Sequence, residues 1–94
     1  MKRLGKNEAN KLLKKILNTG GAVAYTRHAL EEMAKDKMTT VDVENVLRGG
    51  RIYEEPEFVR EGYRYRVHTE MFGVVVEFRS EKEALVVTAW RKKR

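Results

Sequence analysis

The chain has 94 residues, no cysteine and a formal net charge of +6 at neutral pH. This length predicts one small domain over residues 1–94, with a core just large enough to fold alone. The lack of cysteine excludes disulfides, thiolate metal sites and cysteine nucleophiles and fits a reducing cytoplasm, and no apolar run suits a membrane span or a signal peptide.

The first half of the chain has the apolar spacing of helices. Asn7 is a candidate cap for a helix over Glu8–Leu17, whose apolar residues fall on one side. The opposite side carries Lys11, Lys14 and Lys15. This stripe has two interpretations, a solvated helix face or a contact with RNA phosphates.

A short strand candidate, Ala22–Tyr25, precedes two further helices that begin at threonine caps. These helices run over Arg27–Lys37 after Thr26, and from Thr39 or Thr40 to about Arg48.

From Arg51 onward apolar and polar residues alternate, which predicts strands. The predicted strands are Ile52–Val59, Tyr63–Glu70, Gly73–Arg79 and Ala84–Arg91. Pro56 places the first of them at an edge or in a bulge. The sequence therefore predicts an α+β fold, with two to three N-terminal helices packed on one face of a four-stranded antiparallel sheet.

Two turns set the predicted registers. A two-residue turn at Met71-Phe72 pairs Val67 with Val76 and Tyr65 with Phe78. A four-residue loop at Ser80–Glu83 pairs Val76 with Val87 and Phe78 with Leu85. Both registers give one apolar face, which consists of Tyr65, Val67, Val76, Phe78, Leu85 and Val87. The opposite face then carries Arg64, Arg66, His68, Val75, Glu77, Arg79, Val86, Thr88 and Trp90.

This second face has the residue types that RNA cleavage without a metal needs. A base removes the 2′-hydroxyl proton, an acid protonates the leaving oxygen, and cations stabilise the charge on the phosphate. His68 or Glu77 is a candidate base or acid. Candidate phosphate ligands are Arg64, Arg66 and Arg79, and candidate stacking residues are Trp90, Tyr65 and Phe72.

Each of these residues also has a purely structural interpretation. The whole face fits a solvated sheet surface, Arg66 opposite Glu77 fits a cross-strand ion pair, and Trp90 fits packing at a sheet edge. No residue spacing is typical of a metal site, and no Gly-rich phosphate loop is present, so the sequence predicts no metal and no cofactor.

His28 stands near the start of the second helix, where the helix dipole would keep it neutral and free amides bind phosphate. The helical wheel, however, places it on the polar side with Glu32, which equally fits an exposed histidine without a function.

The basic excess lies at the ends of the chain, because the first 15 residues carry +5 and the last four carry +4, which leaves about −3 between them. Such ends bind polyanions or aid solubility.

A pattern of short motifs extends over about residues 10–90. It consists of Thr26-Arg27-His28-Ala29, Met33, Met38-Thr39-Thr40, Asp42-Val43, Val46-Leu47 and Gly49, with later strand residues Arg64, Arg66, Val74-Val75-Val76 and Leu85–Trp90. This pattern resembles small bacterial and phage proteins of an uncharacterised RelE-like family. The layout is also similar to the motility quorum-sensing regulator toxin.

The resemblance implies a RelE/barnase-like fold and a metal-independent mRNA interferase, the toxin of a toxin–antitoxin pair. Its implied partners are RNA, including ribosome-bound mRNA, and a protein antitoxin. His28 would match the family's helix-start histidine, and Arg66 and Thr88 its strand positions. The basic tail, residues 91–94, lacks the tyrosine usual in RelE-type toxins, which leaves the general acid unassigned.

Two other functions fit the same sequence. One is a non-catalytic regulator, phage-encoded or bacterial, that binds nucleic acid or protein. The other is an adaptor that binds a protein through the edge strand Ile52–Val59.

Overall fold

Three helices cover one face of a six-stranded sheet in the computed structural model, which describes residues 1–93. The elements are α1 Lys6–Asn18, β1 Ala22–Tyr25, α2 Arg27–Lys35, α3 Thr40–Gly49, β2 Arg51–Ile52, β3 Glu57–Val59, β4 Gly62–His68, β5 Phe72–Ser80 and β6 Glu83–Arg91. The predicted α+β class, with helices first and then a mostly antiparallel sheet, is confirmed.

Side-chain caps explain where the helices begin. The hydroxyl of Thr26 accepts a hydrogen bond from the amide of Ala29 at 2.9 Å, and Thr39 caps α3 in the same way. The predicted Asn7 cap is wrong: α1 begins at Lys6, and the Glu8 carboxylate accepts a hydrogen bond from the amide of Gly5 at 3.2 Å.

The sheet has more strands than the four predicted. Its order is β1-β6-β5-β4-β2, and β3 also pairs with β4. β1 joins as a parallel partner of β6. The segment around Pro56 divides into β2 and β3, which both pair with the same strand, so the predicted edge position is confirmed.

Helices also cover parts of the sheet edges. The side-chain amide of Asn10 on α1 bonds both backbone groups of Ile52, each at 2.9 Å. The caps of α2 bond β6, where Thr26 donates to the carbonyl of Val87 at 3.0 Å and Asp36 accepts from the amide of Arg91 at 2.8 Å. These contacts occupy backbone groups that would otherwise be free to pair with another chain.

The register of β4 with β5 differs from the prediction by two residues. Tyr65 pairs with Val76 and Val67 with Val74, because Thr69 and Phe72 bond each other across the turn. The turn is therefore centred on residues 70–71 and not on Met71-Phe72. A shift of two residues keeps every side chain on its predicted face.

The register of β5 with β6 is right at both ends and displaced by one residue in the middle. Ser80 and Glu83, predicted as the ends of the loop, pair with each other in the predicted register, but Val76 pairs with Val86 between two bulges. A displacement of one residue reverses the faces, so Val86 belongs to the core, and the prediction for it is wrong. Leu85 and Val87 lie outside the core cluster, contrary to the prediction.

The core lies between the helices and one sheet face. Its largest fully buried side chains are Tyr65, Leu13, Ile16, Leu47, Ile52, Val43, Val46, Val67, Val74, Val76 and Val86. Tyr65 also holds the N-terminal segment, because its hydroxyl accepts from the amide of Leu4 at 2.9 Å and donates to the carbonyl of Leu4 at 3.0 Å.

Two residues of the predicted basic tail have structural roles. Arg91 donates to the carbonyls that follow α2, and Lys92 donates to the carbonyl of Thr69 at 2.7 Å. Arg94 lies outside the described residues. No helix within residues 1–93 has the length and apolar character needed to cross a membrane.

Candidate functional site

The face of the sheet opposite the helices carries most of the predicted site residues, arranged in cross-strand rows. One row joins His68, Gly73 and Trp90, and the next joins Arg66, Val75 and Thr88. We call these two rows, together with Glu54, the His68 end of the face. The Glu77 end consists of Arg64, Glu77, Arg79 and Glu83.

His68 is held by a carboxylate from the neighbouring edge. Its Nε2 lies 3.1 Å from Oε1 of Glu54, while its Nδ1 is buried and has no partner within residues 1–93. Glu54 follows β2, whose Arg51 pairs with His68, and this pairing brings the two side chains together. The side chain of Glu54 is 56% exposed and that of His68 is 21% exposed. The carboxylate is therefore the accessible member of the Glu54–His68 pair.

Trp90 lies across a strand that has no side chain beneath the ring. A Cβ added at Gly73 would stand 2.2 Å from the indole, which shows that the ring covers the bare backbone of β5. The ring is half-buried and lies near the imidazole of His68, with centroids 6.3 Å apart at 80°. Trp90 thus lies on the open face beside His68.

The two arginines of β4 differ in their partners. Arg64 donates from Nε to Oε2 of Glu77 at 2.9 Å. Arg66 is exposed and forms no ion pair within the described chain. Because of the two-residue shift in register, the predicted Arg66–Glu77 pair is replaced by Arg64–Glu77.

Carboxylates also line the space around these arginines. A cleft of about 160 Å³ is lined by Arg64, Arg66, Glu54, Glu55 and Glu57. Arg3 pairs with Glu55 at 3.0 Å, which leaves two of the three glutamates without a lysine or arginine partner among residues 1–93. Any anion that binds Arg66 meets this negative potential at one side.

Arg79 does not belong to the His68 end. It pairs with Glu83 at 3.6 Å near the turn between β5 and β6. Six residues separate it from Gly73 along β5, which is a distance of about 20 Å. Arg79 is therefore too far from His68 to share one phosphate with it, and Glu77 is occupied by its ion pair with Arg64.

His28 is exposed at the start of α2, as the helical wheel predicts. Its turn is fixed to β6 because the backbone of Thr26 donates to the carbonyl of Val86 at 3.0 Å. Arg66 lies two strands away from Thr88 of β6, at about 10 Å between the Cα positions of these two residues, and His28 lies beyond that edge of the sheet, in the turn fixed to β6.

The lysines of α1 lie away from this face. Lys14 donates to the carbonyls of Leu47, Arg48 and Gly50, where α3 ends. Burial, followed by the charge of Arg51, lowers the pKa of Lys14. Lys11 is exposed, and both lysines line a cleft of about 340 Å³ with Asn10 and Arg51. Lys14 is therefore a structural residue.

Glu54 and Gly73 are the site residues that the sequence did not predict. The signal for Glu54 was hidden by the interruption at Pro56, which left the register of that strand undetermined. Within residues 1–93, no group of three or more histidine, aspartate or glutamate side chains is placed to hold a metal ion.

Residues 25–91 match the model of a family that is described as a domain of unknown function, DUF4258. The chain belongs to this family. The match begins at the last residue of β1 and ends at the last residue of β6, so it includes the whole His68 end and excludes α1. No curated protein and no solved structure matches the chain.

Proposed function

We propose that this DUF4258 protein is a metal-independent endoribonuclease, a RelE-like toxin or toxin-like protein that acts on mRNA in the cytoplasm. Its helices on one face of a largely antiparallel sheet, with the other face open, are consistent with a RelE/barnase-like fold. The observation that carries the proposal is Arg66, a guanidinium without an ion pair within residues 1–93, on the same open face as the Glu54–His68 pair.

In this proposal Arg66 binds the phosphate. A guanidinium donates two parallel hydrogen bonds to phosphate oxygens and keeps its charge at any physiological pH. As the 2′-oxygen attacks, the negative charge on the phosphoryl oxygens grows, and Arg66 stabilises it. Arg64 is already bonded to Glu77 and contributes less.

The Glu54–His68 pair supplies the base. The Glu54 carboxylate takes the proton of the 2′-hydroxyl, the 2′-oxygen bonds to phosphorus, and the bond to the 5′-oxygen breaks. His68 orients the carboxylate through its Nε2, because its other nitrogen is buried. The products are a 2′,3′-cyclic phosphate and a 5′-hydroxyl end.

The leaving 5′-oxygen needs a proton. His28 is an exposed imidazole that follows the turn fixed to β6 by Thr26, and we assign it this role. This assignment agrees with the helix-start position that the family resemblance implies.

Cleavage of labelled RNA by the purified chain in EDTA tests the proposal. Expected is a 2′,3′-cyclic phosphate product, with naked RNA in EDTA or with mRNA on ribosomes in the Mg²⁺ that ribosomes need. Its absence under both conditions would contradict the proposal.

Induced expression of the wild type should arrest growth, whereas the Arg66→Ala variant should not. Co-expression of a neutralising protein partner should restore growth.

A second function is favoured by a specific observation. Three glutamates line the cleft beside Arg66, and Glu54 occupies the only exposed nitrogen of His68. Both facts fit a non-catalytic regulator that binds nucleic acid or protein. RNA affinity that falls with salt, survives His28→Ala combined with His68→Ala, and occurs without cleavage would favour this function.

A further inference from the structure

The indole of Trp90 presents a flat apolar surface beside the proposed cleavage site. Because Gly73 has no side chain, the ring lies directly against the backbone of β5, and one of its faces is covered there. The helices lie on the other side of the sheet and do not cover the ring, which is half-buried. The outer surface of the indole is therefore open to a planar ligand.

The neighbours of the ring restrict what that ligand is. His68 meets the indole nearly at right angles, with the ring centroids 6.3 Å apart, so the two rings are not stacked on each other. Arg66 stands one row away on β4, at about 12 Å between Cα positions, and its long side chain shortens that separation. An aromatic surface next to a free guanidinium suits a base attached to a phosphate.

We propose that Trp90 is a base-stacking subsite that makes the open face select unpaired RNA. This inference rests on the proposed function of the face. A base stacks on an aromatic side chain only when it leaves its own duplex stack, so paired RNA cannot occupy the subsite. The stacked base places its adjoining phosphate at Arg66.

The chain contains a single tryptophan, so its fluorescence reports this subsite alone. The 94-residue chain is titrated with an eight-nucleotide single-stranded RNA that is 2′-O-methylated throughout, which prevents cleavage. Two further titrations use a duplex of the same sequence and an abasic sugar–phosphate oligomer of the same length and charge. Expected is strong quenching by the single strand and little by the other two.

Equal quenching by all three ligands, or none by the single strand, would overturn the subsite. A variant adds an independent measure: Trp90→Ala should weaken single-strand affinity about tenfold to a hundredfold and leave affinity for the abasic oligomer unchanged. If that variant does not fold, Trp90→Phe replaces it, with a smaller loss in the same direction.

The outcomes separate this inference from the proposed function. Quenching by the single strand without cleavage of unmodified RNA would leave the subsite standing and remove the endoribonuclease. Cleavage without selective quenching would support the endoribonuclease and contradict the subsite.

Discussion

Both ends of the open face contain arginine and glutamate, but the arginines form ion pairs at one end and not at the other. At the Glu77 end, Arg64 pairs with Glu77 and Arg79 with Glu83. At the His68 end, the guanidinium of Arg66 is free of ion pairs within the described chain, and the available carboxylate, that of Glu54, is bonded to a histidine. A cation already paired with a carboxylate binds a phosphate weakly, because that bond must first be broken.

Register produces this difference, and composition does not. Arg66 faces Val75 and Thr88 across the sheet, so its row contains no acid, whereas Arg64 lies beside Glu77. Alternation along β4 gives both arginines the same face. The pairing with β5 places Glu77 beside Arg64 and leaves Arg66 without an ion pair within the described chain.

Replacement of Glu54 by glutamine should give the largest effect. The amide can still bond His68 but cannot accept a proton, so cleavage should fall about 10²- to 10⁴-fold. RNA affinity should stay equal or increase, because one negative charge is lost. The measurement is single-turnover cleavage together with binding of 2′-O-methyl RNA.

Glu57→Gln is the matched control for this variant. Glu57 lines the same cleft and makes no hydrogen bond through its side chain within residues 1–93. It should lose less than threefold in rate, which is roughly the size expected for a surface charge. Equal losses in both variants would show that the cleft acts only through its net charge.

Arg66→Ala should lower the rate of cleavage by about 10²- to 10³-fold, since it removes the charge that stabilises the phosphoryl oxygens. Affinity should fall as well, and the dependence of log affinity on log salt should lose about one unit of slope. Arg64→Ala removes the same group from the same strand and should change both quantities only severalfold. If Arg64→Ala is the more harmful variant, the contrast between the two ends is wrong.

The order and type of the elements could be read from the sequence because they depend on local patterns. The caps at Thr26 and Thr39, the period of the helices and the alternation of the strands all act within a few residues. The number of strands could not be read in this way. β1 has four residues, and its parallel pairing with β6 depends on a contact more than fifty residues away.

The candidate site was predictable as far as the registers were correct. A turn misplaced by one residue shifted β4 against β5 by two residues and preserved the face of Arg66 and His68. A bulge beside Val87, which no local pattern indicates, reversed the face of Val86. Glu54 was not predicted, because its contact with His68 joins two segments whose pairing could not be read from the sequence.

Gly73→Ala should disturb the His68 end while leaving the Glu77 end intact. The new Cβ would overlap the indole of Trp90, so the ring must move, at a cost of about 1–3 kcal/mol in the free energy of unfolding. Urea denaturation followed by circular dichroism measures the loss. Tryptophan emission in the folded state should change as well.

Gly49→Ala provides the comparison for this glycine. It ends α3, and an added Cβ there meets nothing within 4 Å. Its unfolding free energy should be unchanged or slightly higher, because alanine restricts the unfolded chain. A loss equal to that of Gly73→Ala would show that the loss at Gly73 comes from the removal of a glycine and not from the overlap with the indole.

Tyr65→Phe should have the smallest effect on RNA binding. It tests whether the difference between the two ends depends only on the residues of the open face or also on the buried contact of Tyr65 with the N-terminal segment. Tyr65 lies between Arg64 and Arg66 on β4, with its hydroxyl on Leu4, so its loss should cost about 1 kcal/mol of stability without changing RNA affinity.

Burial raises the pKa of Tyr65, and burial also raises that of Tyr25. Because the folded state holds these protons more tightly, the contribution of the two hydroxyls to stability is fully present below about pH 10 and is lost as the pH rises above it. The variant should show a shallower fall in urea denaturation series between pH 8 and roughly pH 11, with part of the slope left by Tyr25. An unchanged slope would mean that the hydroxyl of Tyr65 does not titrate with folding, and a loss of RNA affinity would mean that anchoring the N-terminal segment shapes the face after all.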